Sequence, residues 1–210
     1  MTRRLRSTAI TITALLGGCA EPFDADPDAE TEIITTVRLT FTPEGGGAAI
    51  TAAFTDPDGD GGMPGNAEPI ALLASGAFTL AVEFANALEQ PEADITAEVR
   101  EEAQDHQVFL LGTAVRGPAT GTDAAAPLLH AYDDVESDYG ENTGDDLPVG
   151  LVNRITVQAA GTGTLTVLLR HMPPQGGTPQ KVAGLAEGLA AGEPLPGEVD
   201  AQVDFMVTVQ

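Results

Sequence analysis

Residues 78–85 read FTLAVEFA and carry the clearest strand pattern in this 210-residue chain. Their large apolar side chains stand at every second position: Phe78, Leu80, Val82 and Phe84. Because successive side chains of a strand point to opposite faces, a period of two places these four groups on one face. The stretch therefore predicts a strand that covers a core on one side and meets solvent on the other.

The same alternation recurs on both sides of this stretch. Eight further segments show apolar strand patterns: residues 37–42, 50–54, 70–72, 106–113, 128–132, 151–158, 164–171 and 203–209. The chain also contains 24 glycines and 15 prolines, many of them between these segments, where they favour turns. About nine short strands separated by turns follow from this pattern.

Helix signals are few. Residues 94–104 (DITAEVREEAQ) predict one helix, with Asp94 or Thr96 as its N-cap, and residues 180–191 give a weaker helical or loop pattern. Helices do not alternate with strands, so a parallel doubly wound sheet is not expected. The sequence predicts an all-β fold, an antiparallel immunoglobulin-like β-sandwich of about nine strands with one short helix. A small closed β-barrel is the alternative.

The N-terminus has the order of a bacterial export signal. Three arginines within residues 1–6 precede a mainly apolar run, residues 7–16, which is too short to span a bilayer as a permanent helix. The next residues, Gly17-Gly18-Cys19, resemble the lipobox of bacterial lipoproteins. That resemblance implies cleavage between Gly18 and Cys19 and lipidation of the Cys19 thiol.

These features predict three regions: a lipoprotein signal peptide over residues 1–18, an acidic lipid-anchored tether over residues 19–32, and a β-sandwich domain over residues 33–210. Two glyceride chains and an N-acyl chain on Cys19 would anchor the protein stably in a membrane. Alanine rather than aspartate follows Cys19, which resembles lipoproteins sent to the outer membrane. The expected location is the bacterial cell envelope, at the outer membrane rather than the inner one.

Charge and cysteine content exclude several classes of protein. The chain has 9 basic and 32 acidic residues, and loss of residues 1–18 leaves 6 basic residues and a formal net charge of −26. Nucleic acid is excluded as a partner because phosphate contacts need basic side chains. The single cysteine excludes an internal disulfide framework.

Asp56-Pro57-Asp58-Gly59-Asp60-Gly61 is the first candidate site. Carboxylates at alternate positions followed by glycine resemble the start of a calcium-binding loop, so Asp56, Asp58 and Asp60 are candidate Ca²⁺ ligands. The twelfth position of an EF-hand loop, where an acid is needed, is Ala67. A solvated turn between strands is the other interpretation.

The second candidate site involves histidine. His106 and His171 are candidate Zn²⁺ ligands if their strands converge, and His130 is the third histidine of the chain. The alternative is that all three are hydrogen-bonded structural residues near strand ends. Residues 132–146 contain seven acids and predict a long exposed loop, with a weak second cation site as the alternative.

Several segments together resemble a family of small bacterial lipoproteins, often labelled type 1 periplasmic binding fold superfamily protein. They are residues 37–43, 56–62, 94–96, 102–109, 148–151 and 161–171. The label implies an α/β ligand-binding fold, whereas the strand pattern favours an all-β fold. The resemblance also implies a companion role to outer-membrane uptake systems, and one local group formed by His106, Arg170 and His171.

No enzyme motif is present: the chain lacks a nucleophile elbow, a zinc-protease helix, a phosphate-binding loop and a dinucleotide fingerprint. We therefore expect a lipid-anchored envelope or cell-surface protein that binds rather than transforms. A cation, or a partner such as an outer-membrane receptor, would be bound. The alternative is a structural envelope lipoprotein that has no small ligand.

Overall fold

The computed structural model describes residues 33–59, 62–73, 75–122 and 125–210. Two short α-helices, α1 (Ile95–Glu101) and α2 (Leu185–Ala190), and a 3₁₀ turn at Glu136–Asp138 accompany the strands. The strands are β1 (Thr36–Pro43), β2 (Ile50–Thr55), β3 (Asn66–Ala67), β4 (Ile70–Leu72), β5 (Ala77–Ala85), β6 (His106–Leu111), β7 (Val115–Arg116), β8 (Leu128–Tyr132), β9 (Val152–Val157), β10 (Gly161–His171) and β11 (Glu198–Val209).

The strands form two sheets. One has seven strands in the order β3-β2-β1-β5-β9-β8-β7, and the other has four in the order β4-β11-β10-β6. Neighbouring strands are antiparallel except in the short pairs β4–β11 and β7–β8. The predicted all-β sandwich is thus confirmed as two mainly antiparallel sheets. The nine predicted strands all form, and the two-residue strands β3 and β7 are additions.

The main apolar core joins both sheets. The four alternating side chains of β5 are at most 4% exposed and share this core with Leu165, Val167 and Phe205 of the other sheet. Phe41 and Phe78 meet edge to face with ring centroids 6.3 Å apart. The remaining core is mostly aliphatic, as expected for a chain with 4% aromatic residues.

Helix α1 is docked on the edge of this core. The Asp94 side chain accepts a hydrogen bond from Ala97 N and caps the helix, while Ile95 and Val99 are buried. Thr96 Oγ1 accepts from the backbone N–H of Phe84 and donates to its carbonyl oxygen. The helix is shorter than predicted and ends in a turn at residue 102, just before β6.

A smaller apolar cluster lies apart from the main core. We call it the outer cluster: Phe109, Ala119, Leu168 and Ala186 are buried in it, and Leu185 and Leu189 of α2 pack against it. It fixes α2 against side chains of β6 and β10 that do not face the main core. The weak helical pattern of residues 180–191 therefore yields six helical residues.

Several predictions lie outside the described residues. The signal peptide, cleavage site, Cys19 and the tether all precede residue 33, and Asp60 falls in a gap, so the structure does not test them. Among the described residues, no helix has the length and hydropathy needed to cross a membrane.

Candidate metal site

His106 and His171 lie opposite each other on neighbouring strands. His106 begins β6, His171 ends β10, and the antiparallel register pairs the two residues. Their rings stack with centroids 4.4 Å apart and planes inclined by 5°. The His106 side chain is 1% exposed, whereas that of His171 is 20% exposed. The structure thus brings together the two histidines that the sequence analysis named as candidate zinc ligands.

The turn after α1 adds a carboxylate to this pair. Glu102 is the C-cap of α1, and its Oε2 lies 3.8 Å from His106 Nδ1 and 3.9 Å from His171 Nε2. One ligand atom from each of these three side chains lies within 4.8 Å of the other two. The Glu-x-x-x-His spacing carried this signal in the sequence, but Glu102 was not assigned as a ligand there.

A β-bulge supplies a second carboxylate. The β10–β11 register shifts after Leu169, which leaves Asp200 of β11 without a pairing partner in the ladder. Its Oδ2 lies 3.6 Å from His106 Nε2, and its side chain is 5% exposed. That oxygen has no hydrogen-bond partner among the described residues. A buried carboxylate oxygen without a hydrogen-bond partner lowers the stability of the folded state, so its presence needs an explanation.

Burial governs the charge of these groups. Burial first, and then the neighbouring His171, lowers the pKa of His106 to about 4. Burial raises the pKa of Asp200 to about 6, against the opposing effects of His171 and Arg170. At pH 7 the imidazole of His106 is therefore neutral and the carboxyl group of Asp200 is ionised. Neutral imidazole and ionised carboxylate are the forms that take part in metal sites.

The two carboxylates lie on different sides of the His106 ring. Glu102 faces Nδ1 and Asp200 faces Nε2. The backbone oxygen of Glu102 is also 3.2 Å from Nδ1 and accepts a hydrogen bond in the tautomer that carries its proton on Nδ1. A cation held by Glu102, His106 Nδ1 and His171 would replace that hydrogen bond. The proton would then sit on Nε2 beside Asp200, where a carboxylate fixes the tautomer and orientation of a metal-binding imidazole.

A buried ion pair supports the turn that carries Glu102. Lys181 Nζ donates to the carbonyl oxygen of Ala103 at 2.6 Å and lies 2.8 Å from Glu136 Oε1. Both side chains of this ion pair are at most 5% exposed. On the other side, Met172 N donates to Asp105 O at 2.6 Å. The turn between α1 and β6 is therefore held from two directions.

The acidic segment at residues 132–146 is not the fully exposed loop that its charge predicted. Asp134 is buried and accepts hydrogen bonds from the three backbone N–H groups of residues 150–152 and from the Tyr139 hydroxyl. Glu136 is buried by its pairing with Lys181. Partners distant in sequence thus stabilise the buried charges of Asp134 and Glu136. No local sequence pattern predicts those partners.

The third histidine does not join the cluster. His130 lies in β8 of the other sheet, is 2% exposed, and has its Nε2 2.8 Å from Asn153 Oδ1. Burial lowers its pKa to about 4, although the Asn153 hydrogen bond acts in the opposite direction. Within the described residues, no carboxylate lies within 4.0 Å of its ring nitrogens. His130 therefore fits the structural interpretation of the histidines.

Arg170 is adjacent to His171 but serves a different contact. Its guanidinium donates to the backbone carbonyl oxygens of Leu195, Pro196 and Gly197, just before β11. Of the group implied by the family resemblance, the two histidines meet and Arg170 holds the neighbouring turn. This contact helps to position the strand that carries the Asp200 bulge.

Two of the three candidate calcium residues, Asp56 and Asp58, are described, and they lie in a turn. Asp56 Oδ1 accepts from Asp58 N at 3.3 Å, and Asp58 Oδ2 accepts from Met63 N at 3.2 Å. These bonds match the solvated-turn interpretation, although Asp58 Oδ1 is buried and has no partner among the described residues. Because Asp60 lies outside those residues, the calcium prediction stays a prediction.

Comparisons with known proteins give no relative from which the role of this site could be inferred. No family model, no curated protein and no solved structure matches the chain. The resemblance to a lipoprotein family accordingly stays a prediction from the sequence.

Proposed function

We propose that this protein is an envelope lipoprotein that binds a transition-metal cation, Zn²⁺ foremost, through Glu102, His106 and His171. The observation that carries the proposal is the meeting of two imidazoles and a carboxylate beside a second, buried carboxylate, one oxygen of which has no hydrogen-bond partner in the described part of the chain. Imidazole nitrogen with carboxylate oxygen is a donor set suited to zinc.

The distances support binding once one of the two stacked rings has rotated. Ligand atoms of a tetrahedral zinc site lie about 3.4 Å apart, as follows from zinc–ligand distances of about 2.1 Å. The separations from Glu102 Oε2 to the two imidazoles are 3.8 and 3.9 Å. Because a metal lies close to the plane of each imidazole that binds it, the stacked rings cannot both bind without rotation. His171 is partly exposed at a strand end and is the ring with room to turn.

Protein ligands would fill three positions of a tetrahedral site. The Glu102 side chain is 55% exposed, so this side of the cluster is open to solvent. Three protein ligands and an open position allow water or a partner's donor group to complete the coordination. This arrangement supports reversible binding, which suits a protein that takes up or hands over a cation.

Zinc titration of the purified full chain tests the proposal. Competition against a chelating dye should show one zinc site in the wild type, with affinity reduced about 100-fold in Glu102→Gln and in His171→Ala. Glu101→Gln is the matched control, because Glu101 is an exposed neighbour on the same helix. Equal zinc affinity in the wild type and both site variants would overturn the proposal.

Membrane anchoring is the second part of the proposed function. It rests on the lipobox-like Gly17-Gly18-Cys19 and on the apolar run before it. The Cys19→Ser variant should lose its membrane fraction, since a single acyl chain or none binds weakly. Continued co-sedimentation of Cys19→Ser with membranes would refute lipid anchoring while leaving the zinc proposal intact. An outer-membrane receptor as the recipient of the cation is a further part of this proposal.

A further inference from the structure

A groove beside α2, lined by none of the metal-cluster residues, has the features of a small-molecule site. It is lined by β7, the turn after it, an outward side chain of β8, and α2, with a volume of about 430 Å³. That size falls in the usual range for ligand pockets, about 300–1,000 Å³. The lining residues that matter are Arg116, Pro118, Leu129, Glu187 and Ala190.

Apolar side chains form the floor of this groove. Leu129 is 38% exposed on β8, which is unusual for a leucine in this sheet, and Pro118 and Ala190 flank it. Beneath the groove, Ala119 and Ala186 are buried in the outer cluster. The walls therefore rest on packed side chains, so the groove is largely formed before any ligand arrives.

The rim opposite α2 is a rigid turn. Gly117 N donates to Gly121 O at 3.0 Å, and Gly121 N donates back to Gly117 O at 2.9 Å. A Cβ added at Gly117 would lie 2.9 Å from His130 O, so only glycine permits this close approach to β8. The turn is thus clamped both internally and against the sheet.

Charges of opposite sign line the two sides of the groove. Arg116 belongs to β7 and Glu187 to α2, and no ion pair within 4.0 Å joins them. Arg116 donates through Nη2 to Gln158 Oε1 and has no carboxylate partner among the described residues. Among the described residues, neither charge of the groove is therefore neutralised by an ion pair.

Polar atoms behind this rim also lack partners. Arg116 Nε, Thr120 Oγ1 and His130 Nδ1 are three of the six buried side-chain atoms without a hydrogen-bond partner in the described residues. The added Cβ at Gly117 would lie 3.2 Å from His130 Nδ1, which places that nitrogen directly behind the groove wall. Buried polar atoms in this state are costly, and each of them calls for an explanation.

From these observations we infer that the groove binds a small amphipathic zwitterion, namely an apolar amino acid or a short apolar peptide. Arg116 pairs with the carboxylate of the ligand, Glu187 pairs with its ammonium group, and its apolar side chain covers Leu129. A ligand that carries both charges can pair with Arg116 and Glu187 at the same time. The site is separate from the metal cluster, and it does not depend on zinc.

The inference is tested by measuring the binding of the dipeptide leucyl-leucine to the full chain, by calorimetry or by NMR titration. N-acetylation removes the ligand's positive charge and C-amidation removes its negative charge. Each modification should weaken binding to the wild type by about tenfold, the usual size of one charged hydrogen-bonded contact. Amidation of the ligand should no longer change its affinity for Arg116→Gln. Acetylation of the ligand should no longer change its affinity for Glu187→Gln.

Arg154→Gln is the matched control, because Arg154 is an exposed arginine of the same sheet that pairs with Glu44 outside the groove. This control variant should still bind the free dipeptide more tightly than the acetylated form and more tightly than the amidated form. No binding of leucyl-leucine at millimolar concentration would overturn the inference. So would equal binding of the blocked and free dipeptides, or tighter binding of decanoate, which would assign the groove to singly charged amphiphiles.

Discussion

His106 and His130 are both buried strand histidines whose pKa is lowered to about 4, yet their surroundings differ. His130 meets a neutral amide, Asn153, and no carboxylate among the described residues. His106 stacks on a second imidazole and lies between two carboxylates. The first environment stabilises a neutral ring, while the second provides the donors and negative charge that attract a cation.

The comparison shows that burial and a lowered pKa alone do not mark a site. What separates the two regions is the kind of group on each ring nitrogen and its connection to solvent. Glu102 and His171 keep one side of the first region accessible, whereas the polar contacts of His130 stay inside the sandwich. Mutations that change one region and leave the other intact can therefore test the distinction.

The largest effect is expected from Lys181→Met, which breaks the support of the His106 region alone. It leaves Glu136 as an unpaired buried charge, and such losses cost about 3–5 kcal/mol. Urea unfolding should show this drop in the free energy of unfolding. The double variant Lys181→Met/Glu136→Leu should recover much of the stability, because it removes the stranded charge. A single-variant loss below about 1 kcal/mol would contradict the assignment of a buried pair.

The next effect concerns the His130 region and its pH dependence. In the unfolded chain the imidazole has its ordinary pKa near 6.5, while burial lowers the folded value to about 4. As pH falls, His130 is therefore protonated in the unfolded state before it is protonated in the folded state. Its contribution to the free energy of unfolding is fully present above pH 6.5 and is lost as pH falls toward 4. His130→Gln should abolish about 3 kcal/mol of this acid-induced loss.

Chemical denaturation of wild type and His130→Gln at pH 7 and pH 4 measures that difference. His106 adds a loss of the same sign and Asp200 an opposing change, and both are common to the two proteins. Their contributions cancel in the comparison. Identical pH dependence in the two proteins would mean that His130 is not held neutral by the fold.

Only part of this contrast was predictable from sequence. Period-two alternation located the nine principal strands because each strand buries one face, and apolar residues reveal that face directly. The two-residue strands had no such pattern. His106 and His171 could be proposed as ligands but not paired, since the register between strands 65 residues apart depends on the whole sandwich.

The carboxylates show the same limit more sharply. Glu102 had a local signal, because it lies one helical turn before His106 in sequence. Asp200 had none, since its position depends on a bulge that the ladder register alone reveals. In a chain with 32 acidic residues, no compositional argument could single it out. For the same reason, the sequence could not identify Glu136 as the partner of Lys181.

A smaller effect is expected from Asp200→Asn, which sharpens the contrast at His106 itself. Asparagine can still accept a hydrogen bond from Nε2–H but lacks the negative charge, so zinc affinity should fall about tenfold. Stability at pH 8 should rise, because burial raises the pKa of Asp200 and thereby penalises its ionised form in the folded protein. Dye competition and urea unfolding give the two readouts. Unchanged zinc affinity would remove Asp200 from the site.

The smallest effect is expected from Asp94→Ala, which weakens the helix that leads to Glu102 without touching any proposed ligand. Loss of the N-cap bond to Ala97 should cost about 1 kcal/mol of stability. Zinc affinity should stay within about twofold, because the Lys181 and Met172 contacts hold the turn after α1 independently of its start. Thermal unfolding with and without zinc separates the two quantities. If zinc affinity fell in step with stability, the site would depend on the helix as a whole rather than on the turn that Lys181 and Met172 hold.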